Sequence, residues 1–131
     1  MILGVGLDLC EIARVGRAIE KPRFLTRVYA PAEQARIAAA SGLRRPEIAA
    51  GLFAAKEAVS KALGTGFAGF GPADIEIAAG ASGMPEVALH GGAKARADQL
   101  ARAWRVWLSI THESGVAAAT AIIESIREDL P

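Results

Sequence analysis

The sequence predicts an α+β fold in one domain over residues 1–131, with a small antiparallel sheet packed against one long helix and several short helices. Three observations support this prediction. Residues 2–9 alternate between two faces as a strand does. Apolar residues between Pro46 and Leu63 recur every three or four positions, the periodicity of a helix. Near the end, two alternating segments flank Glu113-Ser114-Gly115, which is typical of a hairpin.

The opening strand is predicted from Ile2 to Leu9. Its odd positions carry leucine and valine, whereas Gly4, Gly6 and Asp8 lie on the other face. Two glycines leave that face without side chains, so another backbone or a ligand can approach closely. Asp8 places a carboxylate near the end of the strand, where it is either a candidate metal ligand or a helix N-cap.

Helices and a loop follow in the first half of the chain. A glycine-rich loop closed by Pro72 comes after the longest helix. Proline and glycine positions indicate where the helices begin and end. The predicted helices are Glu11–Glu20, which Pro22 interrupts or ends, Pro31–Ala40, which Gly42 stops, and Pro46–Leu63, for which Gly64 is the C-cap residue.

The second half is predicted to contain most of the strands. The last of them, Val116–Ile123, is rich in alanine, so a helix is the alternative there. Both of its faces are apolar, and such a strand requires cover on both sides, which favours an oligomer interface or a sheet between helices. The other elements are strands Asp74–Ala79 and Glu86–Leu89 around the turn Ala81–Pro85, a helix Gly92–Ala103, and a strand Trp104–His112.

Composition excludes several classes of protein. A net charge of +1 and 5% aromatic residues disfavour nucleic-acid binding. No apolar run approaches the roughly 20 residues of a membrane-spanning helix. The single cysteine, Cys10, permits no intramolecular disulfide or cysteine-based zinc site, and is most simply a small buried residue. Because Met1–Cys10 lacks a basic leader and contains Asp8, we expect a strand, not a signal peptide, and a cytoplasmic protein.

Basic residues concentrate between positions 14 and 27. Five of them stand against one acidic residue, Glu20, within this stretch. Such a local excess attracts an acidic partner. The basic residues are Arg14, Arg17, Lys21, Arg23 and Arg27.

Several polar residues are candidates for chemistry, each with a plain structural alternative. The polar side of the long helix is predicted to carry Lys56, Glu57, Ser60 and Lys61. Glu57 and Lys61 are four apart on it, so they form either an ordinary surface ion pair or a metal ligand and a phosphate contact. The loop Gly64–Gly66 either cradles phosphate with backbone N–H groups or merely stops the helix. His112, where a strand meets a turn, is either structural or part of a site, whereas His90 has no such context.

Four segments, in this order and spacing, resemble the holo-acyl-carrier-protein synthase family, the small trimeric type of 4′-phosphopantetheinyl transferase. The most specific is the unbroken run from Phe53 to Gly66. The resemblance covers nearly the whole chain. The other segments are Gly4–Ile12, the Gly-x-Pro turn in Ser82–Pro85, and Leu108–Glu113.

The resemblance implies transfer of 4′-phosphopantetheine from coenzyme A to a serine of apo acyl carrier protein, with release of adenosine 3′,5′-bisphosphate, in fatty acid biosynthesis. It implies that Asp8 and Glu57 bind Mg²⁺, and that Lys61 contacts a phosphate. These three residues are the implied catalytic set, and the candidate base is Glu57 or a metal-bound water that Glu57 orients. The residues implied to line the coenzyme A site are Ser60, Lys61, Gly64, Thr65, Gly66, Pro85, Thr111 and His112.

The resemblance also implies a homotrimer in which His112 reaches a site whose Asp8 and Glu57 belong to a neighbouring subunit. The basic residues from Arg14 to Arg27 match the family's docking surface for the acidic carrier protein. Two departures stand out. Leu52 replaces a common arginine, whose contact Arg44 or Arg45 would have to supply. Cys10 stands where larger relatives place a further metal carboxylate.

Two other functions remain open on the sequence. A magnesium-dependent phosphotransferase with another diphosphate substrate would turn over without any carrier protein. A non-enzymatic trimeric interaction or nucleotide-binding module would tolerate Glu57→Ala with neither metal binding nor catalysis affected.

Overall fold

The computed structural model describes residues 1–127, and positions 128–131 of the expected domain lie outside the described residues. The predicted α+β class is confirmed, but the strands form two antiparallel sheets, not one. The elements are β1 Ile2–Glu11, α1 Ile12–Ala18, α2 Pro22–Val28, α3 Pro31–Ala39, α4 Arg44–Ala62, β2 Ile75–Ala79, β3 Pro85–Leu89, α5 Gly91–Leu100, β4 Trp104–Glu113 and β5 Val116–Ser125. The sheets have the strand orders β1-β5-β4 and β2-β3, and a short 3₁₀ turn, Pro72–Asp74, precedes β2.

The helix α4 packs directly on the backbone of β1. A β-carbon at Gly4 would overlap the carbonyl oxygen of Ala62, and one at Gly6 would overlap that of Ala58. No side chain separates the two elements at these positions, as the bare strand face predicts. This close approach brings the end of β1 beside the C-terminal half of α4.

The burial of α4 extends beyond the predicted apolar stripe. Eleven of its 19 residues are buried, including Lys56 and Ser60, which the sequence placed on a polar face. That placement was wrong because α4 is enclosed by β1, β5, α1 and α3. Alanine at most of the buried positions allows these neighbours to approach closely.

Lys56 belongs to a fully buried ion pair. Its Nζ lies 2.6 Å from Glu33 Oε1 and donates to the carbonyl oxygens of Ile75, at 2.5 Å, and Pro72, at 3.2 Å. Glu33 Oε2 accepts the N–H of Ile77 at 2.9 Å. Burial lowers the pKa of Lys56, and the Glu33 carboxylate opposes this effect. The network joins α3, α4 and β2, so it supports the helix that carries Glu57.

The segment after β1 differs most from the sequence prediction. β1 continues to Glu11 because Cys10 and Glu11 pair with β5, so α1 begins at Ile12. Pro22 does not merely end a helix but begins α2, which the sequence prediction missed. Proline suits a first helical turn because N–H groups there have no acceptor within the helix, so proline loses no hydrogen bond.

The hairpin of β4 and β5 is confirmed, and the helical alternative for the alanine-rich segment is wrong. Ser114 and Gly115 both have positive φ, 52° and 79°, as a tight hairpin turn requires. One face of the three-stranded sheet packs on α4. The other, which we term the outer sheet face, comprises Val5, Leu7 and Leu9 of β1, Ala118, Thr120 and Ile122 of β5, and Trp107 of β4.

The outer sheet face is exposed in the single chain. Leu7 and Leu9 are 62% and 65% exposed, and Trp107 is 42% exposed. The sequence prediction offered either an oligomer interface or helices on both sides of the sheet as cover for β5. Among residues 1–127, no helix covers the outer sheet face. Within the same residues, no helix combines the length and hydropathy needed to cross a membrane.

Candidate active site

Asp8 and Lys61 form an ion pair between β1 and α4. Lys61 Nζ donates to Asp8 Oδ1 at 2.9 Å and to the carbonyl oxygen of Leu7 at 3.1 Å. The sequence prediction offered Glu57 as the partner of Lys61, and the structure replaces that pair with this one. The exchange follows from the glycines of β1, which let the lysine at the end of α4 reach the strand.

Glu57 and Asp8 line one cavity of about 460 Å³, together with Cys10, Arg14 and Phe53. Partial burial, and next the charge of Asp8, raise the pKa of Glu57 above its ordinary value, while Lys61 opposes them. Two carboxylates that face one cavity repel each other. A cation between them would remove this repulsion.

The donor set of this cavity fits Mg²⁺. Carboxylate oxygens are the hard ligands this ion prefers, and it commonly keeps several waters besides one or two carboxylates. Among residues 1–127 no group of three or more acidic, histidine or cysteine side chains could hold a metal. Cys10 is half-buried and donates its Sγ–H to the carbonyl oxygen of Ala50 at 3.3 Å, so it adds no carboxylate to the pair.

The loop after α4 contributes fewer free N–H groups than a phosphate cradle requires. Gly64 N–H donates to the carbonyl oxygen of Lys61 at 2.9 Å, and Gly66 N–H to that of Ser60 at 3.2 Å. Both glycines have positive φ, 82° and 59°. These amides therefore close the helix, which favours the helix-stop alternative for their backbone N–H groups. Thr65 Oγ1 is turned to the carbonyl oxygen of Gly66, 3.0 Å away.

Ser60 is buried and does not line the carboxylate cavity. It is 1% exposed, and its hydroxyl donates to the carbonyl oxygen of Glu57 at 2.7 Å. This bond ties the hydroxyl to the helix turn that carries Glu57. In the single chain, the visible role of Ser60 is to support that turn.

Pro85 and His112 line a second groove, of about 810 Å³, on another side of α4. His112 Nδ1 lies 3.1 Å from Glu47 Oε2, a partner that the sequence prediction missed. Thr111, which precedes His112, is exposed on β4. The groove is also lined by two arginines, Arg36 and Arg44.

Arg44 and Arg45, the two candidates to replace the arginine missing at Leu52, have different surroundings in the structure. Leu52 lines the second groove, and so does Arg44. Arg45 instead donates to the carbonyl oxygens of Ala40, at 2.9 Å, and Ala38, at 3.3 Å, at the end of α3. Of the two arginines considered from the sequence, Arg44 is therefore the one available to an anion in this groove.

The carboxylate cavity and the second groove share no lining residue. Phe53 and Glu57 face the first, while Glu47 and Leu52 face the second. The single chain thus brings Asp8, Glu57 and Lys61 together but keeps His112 and Pro85 apart from them.

The five basic residues between positions 14 and 27 are all exposed. Arg14 lines the carboxylate cavity, and Lys21, Arg23 and Arg27 line an adjacent groove. Phe24 lines both, so it connects them; α2 was not predicted, and Phe24 was missed with it. Arg17 lies apart from these two cavities, in one between α1, α3 and the start of α4.

Comparisons with known proteins agree with this architecture. The model of the 4′-phosphopantetheinyl transferase superfamily matches residues 4–120. A holo-[acyl-carrier-protein] synthase of Nitratidesulfovibrio vulgaris is 44% identical over 128 residues, which cover 95% of this chain and 100% of that protein.

Two solved structures have the same fold. A holo-(acyl-carrier-protein) synthase from Bacillus anthracis in complex with CoA (3′,5′-ADP) has a TM-score of 0.81 and 32% identity, covering 96% of this chain and 99% of its own. The Helicobacter pylori holo-[acyl-carrier-protein] synthase in complex with coenzyme A has a TM-score of 0.77 and 29% identity, covering 92% and 99%. Together with the matched family model, these similarities show that the chain belongs to the 4′-phosphopantetheinyl transferase superfamily.

Proposed function

We propose that this protein is a holo-acyl-carrier-protein synthase, which transfers 4′-phosphopantetheine from coenzyme A to a serine of apo acyl carrier protein. The observation that carries the proposal is the meeting of Asp8, Glu57 and Lys61 where β1 and α4 adjoin. The 44% identical relative that spans the chain bears the same name, and two similar structures were solved with coenzyme A or its nucleotide.

Asp8 and Glu57 would hold Mg²⁺, whose charge, when bound, offsets that of the coenzyme A diphosphate. Lys61 supplies a second positive charge beside Asp8 and contacts a phosphate oxygen. Its long side chain is half exposed, so it can turn from Asp8 toward a ligand without breaking the core.

Glu57 is the candidate base of the reaction. The serine oxygen of the carrier forms a bond to the phosphorus that bears pantetheine, and the bond to the bridging diphosphate oxygen breaks. Adenosine 3′,5′-bisphosphate leaves with that electron pair, and Glu57 accepts the serine proton. Its carboxylate lines the cavity that the serine would enter.

The active form is a homotrimer with sites between subunits. Two observations support this: the exposed apolar outer sheet face, and the separation of the His112 groove from the carboxylate cavity. Covering the outer sheet face with another subunit would bury Leu7, Leu9 and Trp107. In such a site, Pro85, Thr111, His112 and Arg44 of one subunit would contact coenzyme A held by Asp8, Glu57, Lys61 and the Gly64–Gly66 loop of the next.

The acidic carrier protein docks on α1 and α2. Arg14, Lys21, Arg23 and Arg27 surround Phe24 beside the carboxylate cavity, so a serine presented there enters next to Glu57. Arg17, in the neighbouring cavity, adds to the positive electrostatic potential of this surface. We place the enzyme in the cytoplasm, in fatty acid synthesis.

Intact-mass analysis of apo acyl carrier protein, incubated with this enzyme, coenzyme A and Mg²⁺, tests the proposal. We expect a gain of one phosphopantetheine group, abolished by EDTA and by Glu57→Ala. Lys94→Ala, which alters an exposed ion pair on α5, serves as the control and should keep full activity. No gain with several different carriers would contradict the proposal and favour another phosphotransferase or a binding module.

A further inference from the structure

The loop implicated in coenzyme A binding has unfavourable electrostatics for a phosphate. It follows the C-terminus of α4, where backbone carbonyl groups carry partial negative charge. The N–H groups of Gly64 and Gly66 are already bonded to carbonyl oxygens of Ser60 and Lys61. An anion at this loop therefore requires a cationic side chain.

Arg96 of α5 lies against this loop. Its Nε donates to the carbonyl oxygen of Leu63 at 2.9 Å, at the last turn of α4. Its Nη2 lies 3.4 Å from the point where a β-carbon on Gly64 would sit. Nη1 makes one long contact, 3.4 Å, with Gln99 Oε1. Among residues 1–127 the guanidinium has no other hydrogen-bond acceptor and no carboxylate partner.

We propose that Arg96 binds a phosphate of the nucleotide half of coenzyme A at the Gly64–Gly66 loop. The bond to Leu63 fixes the guanidinium and neutralises the negative end of α4, while the Nη2 edge remains open to an oxyanion. Lys61, the other cation near this loop, already pairs with Asp8. The inference rests on the proposed function, since it assigns one more contact to that site.

Calorimetric titration of coenzyme A into the wild-type enzyme and three variants tests this inference. Arg96→Gln keeps a donor for Leu63 but removes the charge, so we expect coenzyme A to bind about ten-fold more weakly. Arg96→Lys keeps the charge without the planar fork and should weaken binding about three-fold. Lys94→Gln makes the same charge change on the same helix and should leave binding unchanged.

Dephospho-coenzyme A identifies the phosphate. If the effect of Arg96→Gln disappears with this ligand, Arg96 contacts the 3′-phosphate; if it persists, Arg96 contacts the diphosphate. Equal affinity of Arg96→Gln and wild type for coenzyme A would overturn the inference while leaving the proposed function intact. Absence of coenzyme A binding by the wild type would overturn both. If Arg96→Gln fails to fold, Arg96→Lys decides, and unchanged affinity in it overturns the inference.

Discussion

Lys61 Nζ lies 2.9 Å from Asp8 Oδ1, although Glu57 is one helical turn away on the same helix. The lysine thus occupies an oxygen that the proposed metal requires. Its pKa is raised, first by the hydrogen bond to Asp8 and then by the charge of that carboxylate. The proposed metal would therefore compete with this ion pair for Asp8.

Lys61→Gln should separate metal binding from catalysis. Removal of the competing cation is expected to tighten binding of Mn²⁺, a probe for Mg²⁺, about three- to ten-fold. Phosphopantetheine transfer should fall at least about hundred-fold, because a charge beside the diphosphate is lost. Electron paramagnetic resonance of free Mn²⁺ measures the first effect. Unchanged Mn²⁺ affinity would contradict the competition, and Lys94→Gln is the matched control.

Glu57→Gln should stabilise the metal-free fold at high pH. The pKa of Glu57 is raised in the fold, so its ionised form costs stability above that pKa. As pH falls through it toward the ordinary value of 4.5, the folded state takes up a proton before the unfolded state does, and the cost disappears. We expect the variant to unfold about 1–3 °C higher at pH 8 and equally at pH 4.5. Calorimetry in EDTA measures this, and a less stable variant at pH 8 would refute it.

Lys56→Met should be the most destabilising of these substitutions. It leaves the buried carboxylate of Glu33 without its cation, which costs about 3–5 kcal/mol. Combining it with Glu33→Gln should recover part of the loss, because the amide oxygen still accepts a backbone N–H. Urea unfolding at pH 7 measures both. Additive losses in the double variant would argue against the coupling; Lys94→Met, at an exposed pair, should cost under about 1 kcal/mol.

Arg44→Gln should raise the KM for coenzyme A about ten-fold, whereas Arg45→Gln should leave it unchanged. Of these two residues, Arg44 lines the groove beside Leu52, whereas Arg45 is engaged with the end of α3. Loss of one charge-assisted hydrogen bond costs about 1.5 kcal/mol or more, which is the basis of the ten-fold estimate. Steady-state kinetics with saturating carrier distinguishes them, and equal effects of both variants would reject the assignment.

Mixed subunits test the shared site. Glu57→Ala and His112→Ala enzymes should each be inactive alone, yet regain part of the activity when unfolded and refolded together. In the proposed trimer, mixing the two variants would create some sites in which both side chains are intact. Leu7→Lys, on the outer sheet face, should yield a monomer by light scattering. Failure of every mixing ratio to restore activity would place each complete site within one chain.

Local patterns predicted the elements that depend on neighbours in sequence. The period of β1, the apolar repeat of α4 and the hairpin around Ser114 were all found. The prediction failed where the length of an element or the burial of a side chain depends on a partner distant in sequence. β5 extends β1 past Leu9, and Glu33 makes burial of Lys56 possible.

In the candidate site, too, local sequence patterns were predictable and long-range contacts were not. The order of its residues was evident from the family's motifs, but their partners were not. The exchange of Glu57 for Asp8 as the partner of Lys61 depends on how closely α4 docks on β1. The pair of His112 with Glu47 joins the last strands to the start of α4, and no local pattern signals it.

The two glycines of β1 also bear on ion selectivity. Asp8 belongs to the strand and Glu57 to the helix, so the spacing of their carboxylates depends on how closely the two backbones pack. A methyl group at Gly6 would push the helix outward and widen that spacing. If Asp8 and Glu57 hold a metal as proposed, the ionic radius that the pair accommodates, and hence discrimination of Mg²⁺ from the larger Ca²⁺, would depend on the absence of a side chain at Gly6.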